Sequence, residues 1–370
     1  MRLNVKKELF LEKTLSLSRE NLIILSFALL AFNFLIYSFF KIDINKNILR
    51  ICTICIIVGI YIWNRRIDKY DFIYVFCALY VCALQGPLAI NILFIVLFSL
   101  VVSPIDSSIR YALCVLSIVL TVVVILSLLF GIVDSKVTNY GGRIRNTLGF
   151  ANVNGATLLF YSCIVLILNN QKRMNVFLLA MLGIISYYIY TLTNSRSCIY
   201  GLIIYLFVFL FCTLFRKNMK YIIRPLIILL FLFPMLCIFL SNRFPQLDYL
   251  LSFRLTIYKN YLYNNSVWSL IFGGAKGEVD CFFINLLGNC GALMYLAIGI
   301  ITYIAIERMI QHETYNYVSL CISILCIGLV ESTALRSEIP CMLYYWCIII
   351  FFFKDYYHNE QSIADKNFDL

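Results

Sequence analysis

The chain reads as a succession of long apolar runs separated by short polar turns. The runs fall at about 21–40, 48–63, 71–85, 88–103, 110–133, 152–169, 174–193, 197–215, 221–241, 280–306, 315–332 and 339–353. Most approach the roughly 20 residues that an α-helix needs to cross the hydrocarbon core of a bilayer. The third and fourth are separated only by Gln85, Gly86 and Pro87, as a tight hairpin or one broken helix. The pattern predicts an all-α, polytopic transmembrane protein of about twelve spans. It forms a single integral membrane domain over 1–370, with two long external loops at about 134–151 and 241–279.

Composition agrees. Hydrophobic residues make up 62% and charged residues 13%, against about 25% charged in soluble domains. A soluble fold has no interior large enough to hide so much apolar surface. The net charge of +11 would suggest nucleic acid in a soluble protein. Here the basic residues sit between apolar runs, where they read as a topology signal and as contacts to lipid headgroups; no nucleic-acid partner is expected. With the N-terminus placed inside, eighteen of the thirty Lys and Arg fall in cytoplasmic segments and twelve outside. Both termini are then cytoplasmic, and the positive charge left outside calls for an explanation. The first apolar run lacks a small-residue cleavage site and reads as a retained helix. Cys52 and Cys55 form a C-x-x-C inside an apolar run with no second pair or His nearby, and His312 and His358 are isolated, so no metal and no cofactor are implied.

Four external segments could carry chemistry. In the first, Arg143 and Arg145 precede a helix that opens with Asn152 and Asn154. Asn caps helix N-termini, free N–H groups there bind anions, and arginine offers a bidentate fork to phosphate. The bland alternative is arginine snorkelling to lipid phosphate. The second is the turn Thr193-Asn194-Ser195-Arg196-Ser197, whose lone Arg196 either binds substrate or answers an Asp or Glu within the fold. The third is the loop 241–279, rich in Tyr, Trp and Asn and carrying Arg243, Arg254, Lys259 and Lys276. Its composition argues for an ordered element facing sugar, or for an amphipathic segment on the membrane surface. It leads into Glu278 and Asp280, where Asp280 is either a helix-capping carboxylate or a general base. The fourth is the last outer turn, Glu331 to Glu338, with Arg336 between.

These segments carry a resemblance. Arg145 followed by Gly149-Phe150-Ala151-Asn152-Val153-Asn154-Gly155 resembles the R…G-F-x-N-P-N motif of the O-antigen ligase and Wzy polymerase superfamily. Ser195-Arg196-Ser197 is similar to that family's S-R-G/S turn. Phe272-Gly273-Gly274 with Asp280, Phe283, Leu287-Gly288 and Gly291-Ala292 resembles its stretch after the large external loop. The match covers roughly 130–300, with two departures: Val153 stands where the family has Pro, and Asp280 stands where the ligases have His. The resemblance implies a GT-C-like, metal-independent membrane glycosyltransferase of the bacterial cytoplasmic membrane. It would polymerise undecaprenyl-diphosphate-linked oligosaccharide repeats for O-antigen or capsule, alongside a chain-length regulator and a flippase. It also implies Arg145 and Arg196 as diphosphate ligands, with Arg254 a third, and Asp280 as base, with Glu278 and Glu331 as the alternatives for that role; Arg143, Arg254, Asn152, Asn154, Glu278 and Glu331 would bind substrate. A lipid-linked oligosaccharide flippase and an O-antigen-type ligase are the alternatives. A transporter should show ionisable groups within spans or broken helices.

Overall fold

The computed structural model describes residues 19–42, 46–64, 75–76, 79–80, 83, 89–140, 143–150, 153–171, 175–216, 218–250, 253–277 and 279–368. The protein is an α-helical membrane protein. Its helices are α1 (Arg19–Phe40, ending in a π-helical turn), α2 (Lys46–Asn64), α3 (Ala89–Val101), α4 (Ser107–Leu129), α5 (Val153–Asn169), α6 (Val176–Thr193), α7 (Ser197–Leu214), α8 (Met219–Phe231), α9 (Phe233–Arg243), α10 (Pro245–Leu250), α11 (Arg254–Asn264), α12 (Val267–Phe272), α13 (Phe282–Gln311), α14 (Tyr315–Ile327) and α15 (Pro340–Phe368). A small antiparallel hairpin, β1 (Val137–Tyr140) and β2 (Arg143–Asn146), lies between α4 and α5 and pairs Thr138 with Arg145.

Among the described residues, five helices are long and apolar enough to cross a membrane: α1, α4, α6, α7 and α13. The pair α8 and α9, bent by 72° at Leu232, makes a sixth if taken as one broken span. Shorter apolar helices lie at Asn47–Trp63, Ile90–Val101, Asn154–Asn169, Tyr315–Ile327 and Pro340–Lys354. Most of the expected segment 71–85 lies outside the described residues.

Burial sorts the helices into layers. In α15 Cys341, Met342, Leu343, Tyr344, Tyr345, Cys347, Ile348 and Ile349 are all fully buried, the mark of a helix apolar on every side and enclosed by protein. It packs against α3, α5, α13 and α14. On the peripheral α6, Leu182, Ser186, Ile189 and Thr193 face inward at helical spacing, whereas Ile184, Tyr187 and Tyr188 are exposed. Large apolar side chains left exposed in rows are what lipid contact requires and water forbids.

Two helix breaks shape the molecule. Pro234, just past Leu232, lacks the N–H that would continue the α8 ladder, and the Tyr295 hydroxyl donates to the Phe231 carbonyl at this break (2.6 Å). In α13, Gly291 has φ +83°. Carbonyls left open by that break accept from the loop before it: Gly274 N–H to Asn289 O and Ala275 N–H to Gly288 O. A Cβ at Gly291 would lie 2.5 Å from the Ile271 carbonyl oxygen and 2.6 Å from the Gly273 nitrogen. The glycines of this stretch therefore let the loop lie directly on the helix backbone.

Polar contacts sort to two ends of the bundle. At one end Arg50 pairs with Glu338 (2.6 Å), Ser337 donates to Asn91 (3.0 Å), and the starts of α5 and α7 meet the segment after α14. At the other, Arg224 pairs with Glu307, Arg216 with Glu313, Arg110 donates to Tyr317, and Asn316 donates to the Gln171 carbonyl. Segments expected on the same side of the membrane thus share an end.

Candidate functional site

The four polar segments that the sequence marks as candidates meet around one carboxyl. α14 stops at Ile327, short of the end of its apolar run, and the chain turns through Gly328 to Glu331. Glu331 is 3% exposed. Its Oε2 accepts from the Asn154 side-chain amide (2.8 Å), and its Oε1 accepts from the Ser197 hydroxyl (2.8 Å). Asn154 lies in the first turn of α5 and Ser197 is the first residue of α7. The first two segments therefore reach Glu331 through the beginnings of two helices.

The long loop supplies the third side. It is ordered into α10, α11 and α12. Buried Asp248 accepts from Leu255 N–H (2.8 Å), Thr256 N–H (3.2 Å) and the Thr256 hydroxyl, so its carboxylate satisfies free donors at the start of α11. This fixes Arg254, the first residue of that helix. One Arg254 amino group donates to the Val330 carbonyl, beside Glu331, with longer contacts to the Tyr258 hydroxyl and the Asp280 carbonyl (3.4 Å each). Tyr258 donates to the Asp280 carbonyl (2.7 Å). The Phe282 N–H donates to Gly328 O (2.7 Å) and ties the mouth of α13 to the end of α14.

Electrostatics at Glu331 follow from this enclosure. Burial pushes its carboxyl up to about 7, against the pull of Arg254 and of the Ser197 hydrogen bond; Asp280 adds to the rise and Arg336 opposes it. The group holds two guanidinium and two carboxyl side chains. The site is neutral with Glu331 ionised and net positive once Glu331 takes up a proton.

Of the expected site residues, Asn154, Arg254, Asp280 and Glu331 come together here. Asn154 does so as a hydrogen-bond donor to a carboxylate and not as a helix cap. Asp280 stands before the N-cap residue Cys281, with its carboxyl exposed and its carbonyl engaged by Tyr258 and Arg254. Arg196 is exposed, and the residue that turns inward to Glu331 is its neighbour Ser197. Arg145 is half-buried on β2, which packs against α6, the helix that leads into the 193–197 turn. Arg143 occupies β2 by its backbone, its side chain lying outside what is described; Asn152 and Glu278 lie outside the described residues.

The motif residues around Arg145 have a packing role. Gly149 has φ +84°, and a Cβ there would collide with Phe39 and Val133. Phe150 is buried against Phe34 and Phe39, with ring centroids 5.8 and 5.0 Å away. The pair anchors the hairpin to α1.

The sequence assigned no role to Tyr258 or Asp248, and Ser197 entered only as a member of the Ser195-Arg196-Ser197 turn. Asp248 had a signal: a carboxylate that precedes a helix within an apolar, aromatic loop is a candidate cap. Ser197 and Tyr258 are commonplace in such segments and become distinctive only through their partners. Comparison with protein-family models, with curated proteins and with solved structures finds no match.

Proposed function

We propose that the chain is a membrane-embedded polysaccharide polymerase that joins undecaprenyl-diphosphate-linked oligosaccharide repeats on the outer face of a bacterial cytoplasmic membrane. The observation that carries the proposal is the convergence of four polar segments far apart in sequence, through Asn154, Ser197, Arg254, Asp280 and Glu331, on one charged cluster. In this reading the shorter apolar helices also cross the bilayer, for about twelve spans in a GT-C-like arrangement with both termini cytoplasmic. The twelve basic residues that this topology leaves on the outer face then serve the substrate's diphosphate.

The chemistry is glycosyl transfer. A hydroxyl of one lipid-linked repeat attacks the anomeric carbon of the growing chain. The new O–C bond forms as the bond to diphosphate breaks, and undecaprenyl diphosphate leaves. Guanidinium groups aimed at the departing oxygens stabilise charge that develops in the transition state. Arg254 and Arg336 supply this at the cluster; Arg145 and exposed Arg196 hold the diphosphate at the rim.

Substitution of Arg145, Arg196 or Arg254 by Ala should shorten the glycan ladder on a gel, with Arg254→Ala the most severe. Full-length ladders from all three variants would remove the assignment.

The helix breaks at Leu232 and Gly291 favour a second reading, since transporters use broken helices at their binding sites. A deletion strain separates the two. Loss of a polymerase leaves single repeats attached at the surface, whereas loss of a flippase leaves none outside.

A further inference from the structure

We infer that Glu331, and not Asp280, is the group that takes the proton from the attacking acceptor hydroxyl. The inference rests on the polymerase reading and assigns a proton-transfer role within that same site. It starts from the placement of the two carboxyls. Asp280 is exposed, ahead of α13, and makes no side-chain hydrogen bond or ion pair among the described residues. Its backbone carbonyl is what the neighbours grip. Glu331 is enclosed where the starts of α5 and α7 meet the connection between α14 and α15, and both its oxygens are oriented by neutral donors from different helices. An ionised carboxylate has about four acceptor positions. Asn154 and Ser197 occupy two, which leaves capacity for a sugar hydroxyl, directly or through one water. Arg254, fixed by the Val330 carbonyl, stands beside it.

The step balances. The acceptor O–H bond breaks and its proton moves to a Glu331 oxygen. The oxygen's electron pair forms the bond to the anomeric carbon, and the electron pair of the breaking C–O bond leaves on the diphosphate. Glu331 returns its proton to solvent or to the departing diphosphate before the next cycle. A base of this kind works best when its pKa lies near the operating pH, and burial at Glu331 acts in that direction. The charged groups facing it are Arg254, Asp280 and Arg336, and Ser197 is its charge-stabilising donor.

The test uses purified full-length protein in detergent and lipid-linked repeats extracted from a strain deleted for this gene. Initial rates of elongation are recorded from pH 5 to 9 for wild type, Asp280→Asn, Glu331→Gln and Glu331→Asp. The wild-type rate should rise with pH through an inflection near 7. Glu331→Gln should fall by about 10²–10⁴-fold and lose that inflection, while Asp280→Asn retains an inflection, moved to lower pH because the Asp280 charge no longer adds to the rise. Should Glu331→Gln aggregate, Glu331→Asp decides: a folded variant with a displaced inflection supports the assignment, and an unmoved inflection overturns it. Retention of the inflection by Glu331→Gln, or its loss in Asp280→Asn alone, also overturns it while leaving the polymerase reading intact. Absence of elongation by the wild-type protein, with single repeats supplied, would remove both.

Discussion

Glu331 feels opposing effects on one carboxyl. Enclosure raises it to about 7, while Arg254, Ser197 and Arg336 pull it down. Because the folded value lies above the unfolded one, near 4.5, the folded state binds more protons between them. Stability from this group is fully present below the unfolded value and is lost as pH rises through about 7. The difference amounts to about 3 kcal/mol. Thermal unfolding in detergent should therefore show wild type losing stability from pH 5 to 8, and Glu331→Gln should flatten that slope. Equal slopes for the two proteins would show that the carboxyl is not raised. The same residue shows how far sequence reading goes: an acid at the very end of an apolar run marks itself as unusual, but its donors, Asn154 and Ser197, lie 177 and 134 positions away.

Among the elements, the break in α13 and the clamp on the turn between α14 and α15 hold the cluster's frame. Gly291 stands at φ +83° with the Ile271–Gly273 backbone against its α-carbon. Gly291→Ala meets both a conformational penalty and a collision, and should cost about 1–3 kcal/mol, read as a lower unfolding midpoint. Leu293, two residues on and 65% exposed, offers a control that should shift little when changed to Ala. The clamp is the pair of Arg50 and Glu338, each side chain 15% exposed. Removing either partner should cost about 1.5–3 kcal/mol. The exchange Arg50→Glu with Glu338→Arg should recover part of that loss, and a double-mutant cycle measures the coupling. This contact gives the N-terminal third, which carries no motif, a part in the site: α2 steadies the turn that bears Glu331 and Arg336.

For the whole molecule, the sorting of polar contacts to two ends makes topology testable. Single cysteines at Lys259 and at Asn242, in a background from which the exposed Cys52 and Cys55 are removed, should react with a membrane-impermeant maleimide from outside intact cells. Cysteines at Lys220 and Glu313 should react only after the membrane is opened. Labelling of both sets from the same side would overturn the arrangement of spans.

What the sequence determined by itself was the solvent and the succession of elements. Apolar runs of helical length, with few charges, admit only a membrane helix protein, and their ends lie close to the helix ends over most of the chain. The ordered state of the 241–279 loop was legible in its aromatic content. The tertiary structure alone decided which polar residues meet. Helix periodicity fixes a residue's face but says nothing about which helix lies opposite, so Ser197 could take the place expected of Arg196. The breaks at Leu232 and Gly291 were equally a matter of packing, because proline and glycine permit a bend, and the neighbouring loop and Tyr295 make it stable by satisfying the carbonyls it exposes.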